Sequence, residues 1–106
     1  MASSLTPAEV HALLQRGAAL VLLDVREPEE VRLVRLPGSV HIPMAEIPSR
    51  LHELDPETHI VVYCHHGIRS AHVVAFLVQQ GFSQVSNLAG GIDAWAAEVD
   101  PGLPRY

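Results

Sequence analysis

Lysine is missing from this 106-residue sequence, cysteine occurs once, and no apolar stretch is long. Each scarcity excludes something. The seven basic residues are all arginines, scattered at positions 16, 26, 32, 35, 50, 69 and 105. With a formal net charge of −5 and no basic run, the chain offers little to hold a phosphate backbone, so nucleic acid is not expected as a partner. A single cysteine rules out an internal disulfide and suits a reducing compartment. No unbroken apolar run is longer than residues 18–23, far short of the roughly 20 residues a membrane helix needs. The first ten residues lack the basic start and apolar centre of a secretory signal. A cytoplasmic protein without membrane contact is the expectation.

What is present points to a folded α/β chain. Hydrophobic residues make up 48% of the sequence and charged ones 18%, which places it among globular rather than disordered chains. The length suits one domain, residues 1–106, with 1–5 and 100–106 as peripheral ends. Thr6, Pro7 and Glu9 spell a helix start with a capping box, and Val10, Leu13 and Leu14 continue the helix until Gly17. Residues 19–25, apolar apart from Asp24, show no alternation, as in a strand covered on both faces. A weak helix over 27–36, a turn at Pro37 and Gly38, a short strand over 40–43 and a short helix over 47–54 follow. Residues 59–64, rich in β-branched side chains, read as the central strand. A helix is expected over 69–81, with Val73, Val74, Leu77 and Val78 inward and Gly81 as its stop. A brief strand over 85–88, a turn at Gly90 and Gly91, and a last helix through Ile92, Ala94 and Trp95 complete the order. Strands alternating with helices predict a small, mostly parallel sheet flanked by helices.

The chemistry concentrates around Cys64. A buried strand ends at this residue, a short loop containing Gly67 follows, and a helix begins where the loop closes. Backbone amides of such a loop and of the first helical turn have no helical acceptor. With the helix dipole they form an anion cradle that favours thiolate over thiol. Arg69 adds a positive charge suited to an anionic donor, and Gly67 permits backbone angles that a side chain would oppose. Sulfur in this setting is a nucleophile that forms a covalent intermediate. Loop size selects the intermediate: cysteine-dependent phosphatases place five residues between cysteine and arginine, and here only four separate Cys64 from Arg69. The smaller ring has room for one terminal sulfur atom. His65 and His66 beside the cysteine raise the question of a metal, but no second cysteine helps and none is expected.

Four segments together resemble the rhodanese homology domain family. Residues 22–27, containing Asp24 and Arg26, resemble its first signature. Glu30 with Leu36, Pro37, Gly38, Ser39, Ile42 and Pro43 resembles the second. Residues 63–70 match the active loop, and residues 87–95 the closing one. Val34 and Arg35 stand where the family usually has glycine and histidine. The resemblance implies a five-stranded rhodanese-like fold and a two-step sulfur transfer without metal or organic cofactor. Cys64 would take a sulfane sulfur from thiosulfate, a polysulfide or a persulfide and pass it to cyanide, a thiol or an acceptor protein. His65, His66, Gly67, Ile68, Arg69 and Ser70 would hold the substrate sulfur, Arg26 would contact substrate at the rim, and Asp24 would support the site. Two alternatives stand beside this: a non-catalytic binding module, and a phosphatase or arsenate reductase on the same fold.

Overall fold

The computed structural model describes residues 2–106. Its elements run β1 (Ala2–Leu5), α1 (Pro7–Gln15), β2 (Leu20–Asp24), α2 (Pro28–Leu33), β3 (Val40–His41), two short 3-10 helices (Met44–Glu46 and Pro48–Glu53), β4 (His59–Tyr63), α3 (Ile68–Gln79), β5 (Val85–Leu88) and α4 (Gly91–Glu98). The strands form one five-stranded sheet in the order β1-β5-β4-β2-β3, and every pairing is parallel. No helix among the described residues is long and apolar enough to cross a membrane.

Both faces of the sheet are covered, which is why its central strands carry no polar alternation. Successive side chains of β4 point to opposite faces. Ile60, Val62 and, just beyond the strand, Cys64 pack with Val73, Val74 and Leu77 of α3 and with Ile47 and Leu54 from the 3-10 region. Val61 and Tyr63 pack on the other side with Val10 of α1 and with Ile92 and Trp95 of α4. Cys64 therefore leaves the sheet on the α3 side. Helix α1 begins as its sequence requires: Thr6 Oγ1 accepts from the Glu9 amide at 3.1 Å, and the Thr6 amide donates to Glu9 Oε1 at 2.8 Å.

Two expectations are corrected. Residues 1–5 were expected to be a peripheral end, yet Ala2–Leu5 is an edge strand in register with β5, Leu5 lying opposite Leu88. Ser3 and Ser86 hydroxyls meet at 2.7 Å, and Leu5 carbonyl accepts from the Ala89 amide at 2.8 Å. Backbone pairing holds this strand, and its small polar side chains carry no strand pattern. The helix expected over 47–54 is instead the 3-10 segment Pro48–Glu53, with a kink inside it. Arg50, at φ −116° and ψ 18°, has non-helical angles inside the segment and interrupts it. The end at 100–106, expected as an irregular tail lying on the domain, is irregular, and its Tyr106 and Arg105 reach the region around Cys64.

Candidate active site

Strand β4 and helix α3 meet at Cys64 through a loop that closes on its own sulfur. The amides of Gly67 and Ser70 donate to Cys64 Sγ at 3.1 and 3.4 Å, and the Ser70 hydroxyl lies 3.3 Å from it. Gly67, at φ +107°, takes the left-handed turn that brings its amide inward, a conformation that disfavours any side chain. Of the amides of residues 65–70 expected to face the sulfur, those of 67 and 70 donate to it. Cys64 itself is only 1% exposed. Burial pushes its thiol up; the Ser70 hydroxyl, the Ser70 and Gly67 amides and the Arg69 charge outweigh burial, and the thiol is held below its ordinary value.

The back of the loop is fixed by the start of α4. The Ile92 amide donates to Cys64 carbonyl at 2.9 Å and the Asp93 amide to His65 carbonyl at 3.1 Å. These are first-turn amides without helical acceptors, and they turn the loop carbonyls outward. The approach is so close that a Cβ on Gly91 would overlap both carbonyl groups. Glycine at position 91 is therefore a packing requirement of the loop. Asn87, on β5, completes the frame: its Nδ2 donates to Gly67 carbonyl at 3.1 Å, and its Oδ1 accepts from the Ser70 hydroxyl at 2.5 Å.

Arg26, expected to contact substrate at the rim, does not reach the rim. It is completely buried, and its donors are spent inside the protein. Nε and Nη2 fork onto Asp24 at 2.9 and 2.7 Å, Nη2 also reaches Val34 carbonyl at 2.7 Å, and Nη1 donates to the Tyr106 hydroxyl at 2.9 Å. Asp24 in turn accepts from the Tyr63 hydroxyl at 2.9 Å and from the Arg26 amide at 3.0 Å. Burial opposes the Arg26 charge, but the Asp24 and Tyr106 hydrogen bonds exceed it and keep the guanidinium protonated. Tyr63 is pushed up to about 12 by its burial, with the Asp24 charge adding to it. Asp24, expected to support the site, is fully buried here and with Arg26 ties β2 to the end of α2 and to the C-terminal residues. The Val34 carbonyl serves this network, and Arg35, the other departure, turns back on Ser39.

Arg69 is placed beside the loop, but its donors face Glu30. Nη1 and Nη2 grip the two carboxylate oxygens at 2.6 and 2.9 Å, and the Tyr106 hydroxyl donates to Oε2 of the same group at 2.7 Å. Arg69 is expected from the sequence to hold an anionic donor; in the fold it faces a carboxylate 39 residues away. The Arg69 hydrogen bonds hold Glu30 down from its ordinary 4.5 to about 2, against its burial and with help from Tyr106 and the Glu27 amide. A depressed carboxyl stabilises the fold above its unfolded value and loses that contribution as pH falls. The stability gap between wild type and Glu30→Gln should therefore be full above pH 4.5 and close as pH drops toward about 2, measured by urea unfolding. A gap independent of pH in that window would mean that the pair adds nothing through charge.

His65 and His66 flank the loop. The His65 ring is stacked between His66 and Tyr106, with centroids 3.9 Å away on each side, and its buried Nε2 has no hydrogen-bond partner. His65, His66 and Asp93 each bring a potential metal ligand within 4.8 Å of the others. Arg105 already grips both Asp93 oxygens, at 3.0 and 3.1 Å, so a cation there would have to displace it. Ile68 stands at the outer edge, 72% exposed. Sequence reasoning gave no role to Asn87 or Tyr106. Asn87 lay inside the closing segment as an unassigned position, and the tail around Tyr106 carried no signal at all.

A parallel α/β sheet with a cysteine just beyond the carboxyl end of its central strand, its sulfur accepting from two amides of the following loop, defines the class of domain. The chain belongs to the rhodanese-like domain family, whose sequence model matches residues 6–98. It is 41% identical over 85 residues to a sulfurtransferase of Allochromatium vinosum, covering 80% of this chain and 77% of that protein. It is 39% identical over 89 residues to the thiosulfate sulfurtransferase GlpE of Pseudomonas syringae, covering 84% and 82%. Some relatives are far longer: the chain matches the probable adenylyltransferase/sulfurtransferase MoeZ of Mycobacterium tuberculosis at 39% identity over 106 residues, yet spans only 27% of its length. Among solved structures, a rhodanese-like domain protein from Staphylococcus aureus superposes with a TM-score of 0.85 at 32% identity, covering 98% of both chains.

Proposed function

We propose that this protein is a sulfurtransferase that carries a sulfane sulfur as a persulfide on Cys64. The observation that carries this reading is the Cys64 sulfur held by the Gly67 and Ser70 amides in a loop with only four residues between Cys64 and Arg69. Family membership and relatives named sulfurtransferases support transfer of sulfur in general.

In the first step the Cys64 thiolate attacks the outer sulfur of the donor. The new S–S bond forms as the donor's own S–S bond breaks, and its electron pair leaves as sulfite from thiosulfate or as a thiolate from a persulfide. In the second step cyanide, a thiol or an acceptor protein attacks the terminal sulfur and returns Cys64 to the thiolate. Amides in the ring of residues 65–70 hold the terminal sulfur, and Arg69 acts on it through its field, because its donors serve Glu30. The chemistry needs no cofactor.

The test is the intact mass of the protein after incubation with thiosulfate, with inorganic polysulfide and with glutathione persulfide. The mass of one sulfur atom should be gained from at least one donor and released as thiocyanate by cyanide. No gain from any of the three would leave a binding module as the better reading. Efficient release of phosphate from an aryl phosphate would favour the phosphatase.

A further inference from the structure

Asn87 belongs to β5, yet both ends of its side-chain amide are spent on the loop around Cys64. Its orientation is fixed by chemistry: the end facing Gly67 carbonyl has to donate, so the end facing Ser70 accepts. The Ser70 hydroxyl is fully buried and has two neighbours able to take its proton, Asn87 Oδ1 at 2.5 Å and Cys64 Sγ at 3.3 Å. A hydroxyl has one proton to give. Given to Asn87, it leaves the hydroxyl oxygen able only to accept, which suits a neutral S–H. Given to sulfur, it stabilises a thiolate and leaves Asn87 Oδ1 behind.

We propose that Asn87 is a positioning residue for Cys64, competing with the sulfur for the Ser70 hydroxyl proton while pinning the peptide that follows Gly67. In the resting thiol, Cys64 S–H donates to the Ser70 oxygen, the Ser70 O–H donates to Asn87, and the Asn87 N–H donates to Gly67. When the thiol proton departs to solvent, the hydroxyl turns to the sulfur. Asn87 also lines an open surface groove of about 340 Å³ with Ser3, Ser4, Ala71, Val74 and Ala75, so water can take over its freed oxygen. Ser70 thus supports the thiolate only as far as Asn87 releases its proton. The charged and titratable groups around Cys64 are Arg69 of α3 with Glu30 of α2, and the His65 and His66 rings with Tyr106, Asp93 of α4 and Arg105. Substitutions at 70 and 87 remove none of them.

The experiment follows the thiolate of the single cysteine by its ultraviolet absorbance against pH, with Cys64→Ser as the blank. It requires no sulfur transfer, so the outcome is separate from that of the sulfurtransferase reading, on which only the inference's relevance to catalysis rests. Below the midpoint, Asn87→Ala should raise the thiolate-to-thiol ratio on the order of tenfold, the size of one hydrogen bond to a charged group. The double variant Ser70→Ala/Asn87→Ala should titrate like Ser70→Ala alone, because the gain passes through the hydroxyl. Asn87→Leu, close in volume and without donor or acceptor, should repeat the alanine result and serves if the alanine variant fails to fold. An unchanged ratio in both single variants, or an equal gain with and without Ser70, would overturn the proposal.

Discussion

Replacement of Cys64 by serine should end sulfur uptake from every donor while leaving the fold in place. A serine hydroxyl is not ionised near neutral pH and cannot become a persulfide, so the loss is that of a covalent nucleophile, on the order of 10⁶-fold. The site would otherwise tolerate the change. The Gly67 and Ser70 amides that donate to Sγ can donate to an oxygen, and the anchors of the loop on Ile92 and Asp93 use the Cys64 and His65 backbone. Thermal unfolding should therefore differ little between the two proteins. Intact mass after exposure to thiosulfate, polysulfide or glutathione persulfide reads the result. Sulfur retained by the serine variant would place the carrier elsewhere, and the chain offers no second cysteine to take the role.

Arg26→Ala should be the most destabilising of the changes considered, and for a reason opposite to the one its sequence suggested. Removing the guanidinium leaves the Asp24 carboxylate in a fully buried position with its charge unmatched. It also takes the donor from Val34 carbonyl and from the Tyr106 hydroxyl. Breaking one side of a buried ion pair typically costs about 3–5 kcal/mol, a large share of the roughly 5–15 kcal/mol that holds a domain together. Removing both charges together, as in Asp24→Leu/Arg26→Met, should recover part of the loss, because no uncompensated ion remains. Urea unfolding measures both. A variant with normal stability and a raised KM for the donor would instead return Arg26 to the substrate.

How far the sequence could be read follows from how local each feature is. The active loop is continuous, from Cys64 to Ser70, and its strand, glycine and helix start stand side by side in the chain. Its position and closure could be read from those residues, and the amides on the sulfur occupy two of the positions in that segment. The capping box at Thr6 and Glu9 and the two-sided burial of residues 59–64 are local in the same sense. By contrast, β1 has no apolar pattern, because backbone bonds to β5 hold it at the sheet edge. Arg26 was misread for a related reason: a charged side chain looks solvent-facing until its partners are known, and one of them is Tyr106, 80 residues further on. Arg69 was assigned a free anion because its real one, Glu30, lies in another helix.

By itself the sequence determined the alternation of strands and helices, the place of Cys64 at the end of the central strand and the narrow spacing to Arg69. Each of these is written in neighbouring residues through periodicity, turn chemistry and caps. Only the tertiary structure decided how the charged and polar groups are spent: Arg26 on Asp24, Arg69 on Glu30, and Asn87 on Ser70 and Gly67. Pairings of that kind join residues far apart in the chain, and no local pattern records a partner that only folding brings near.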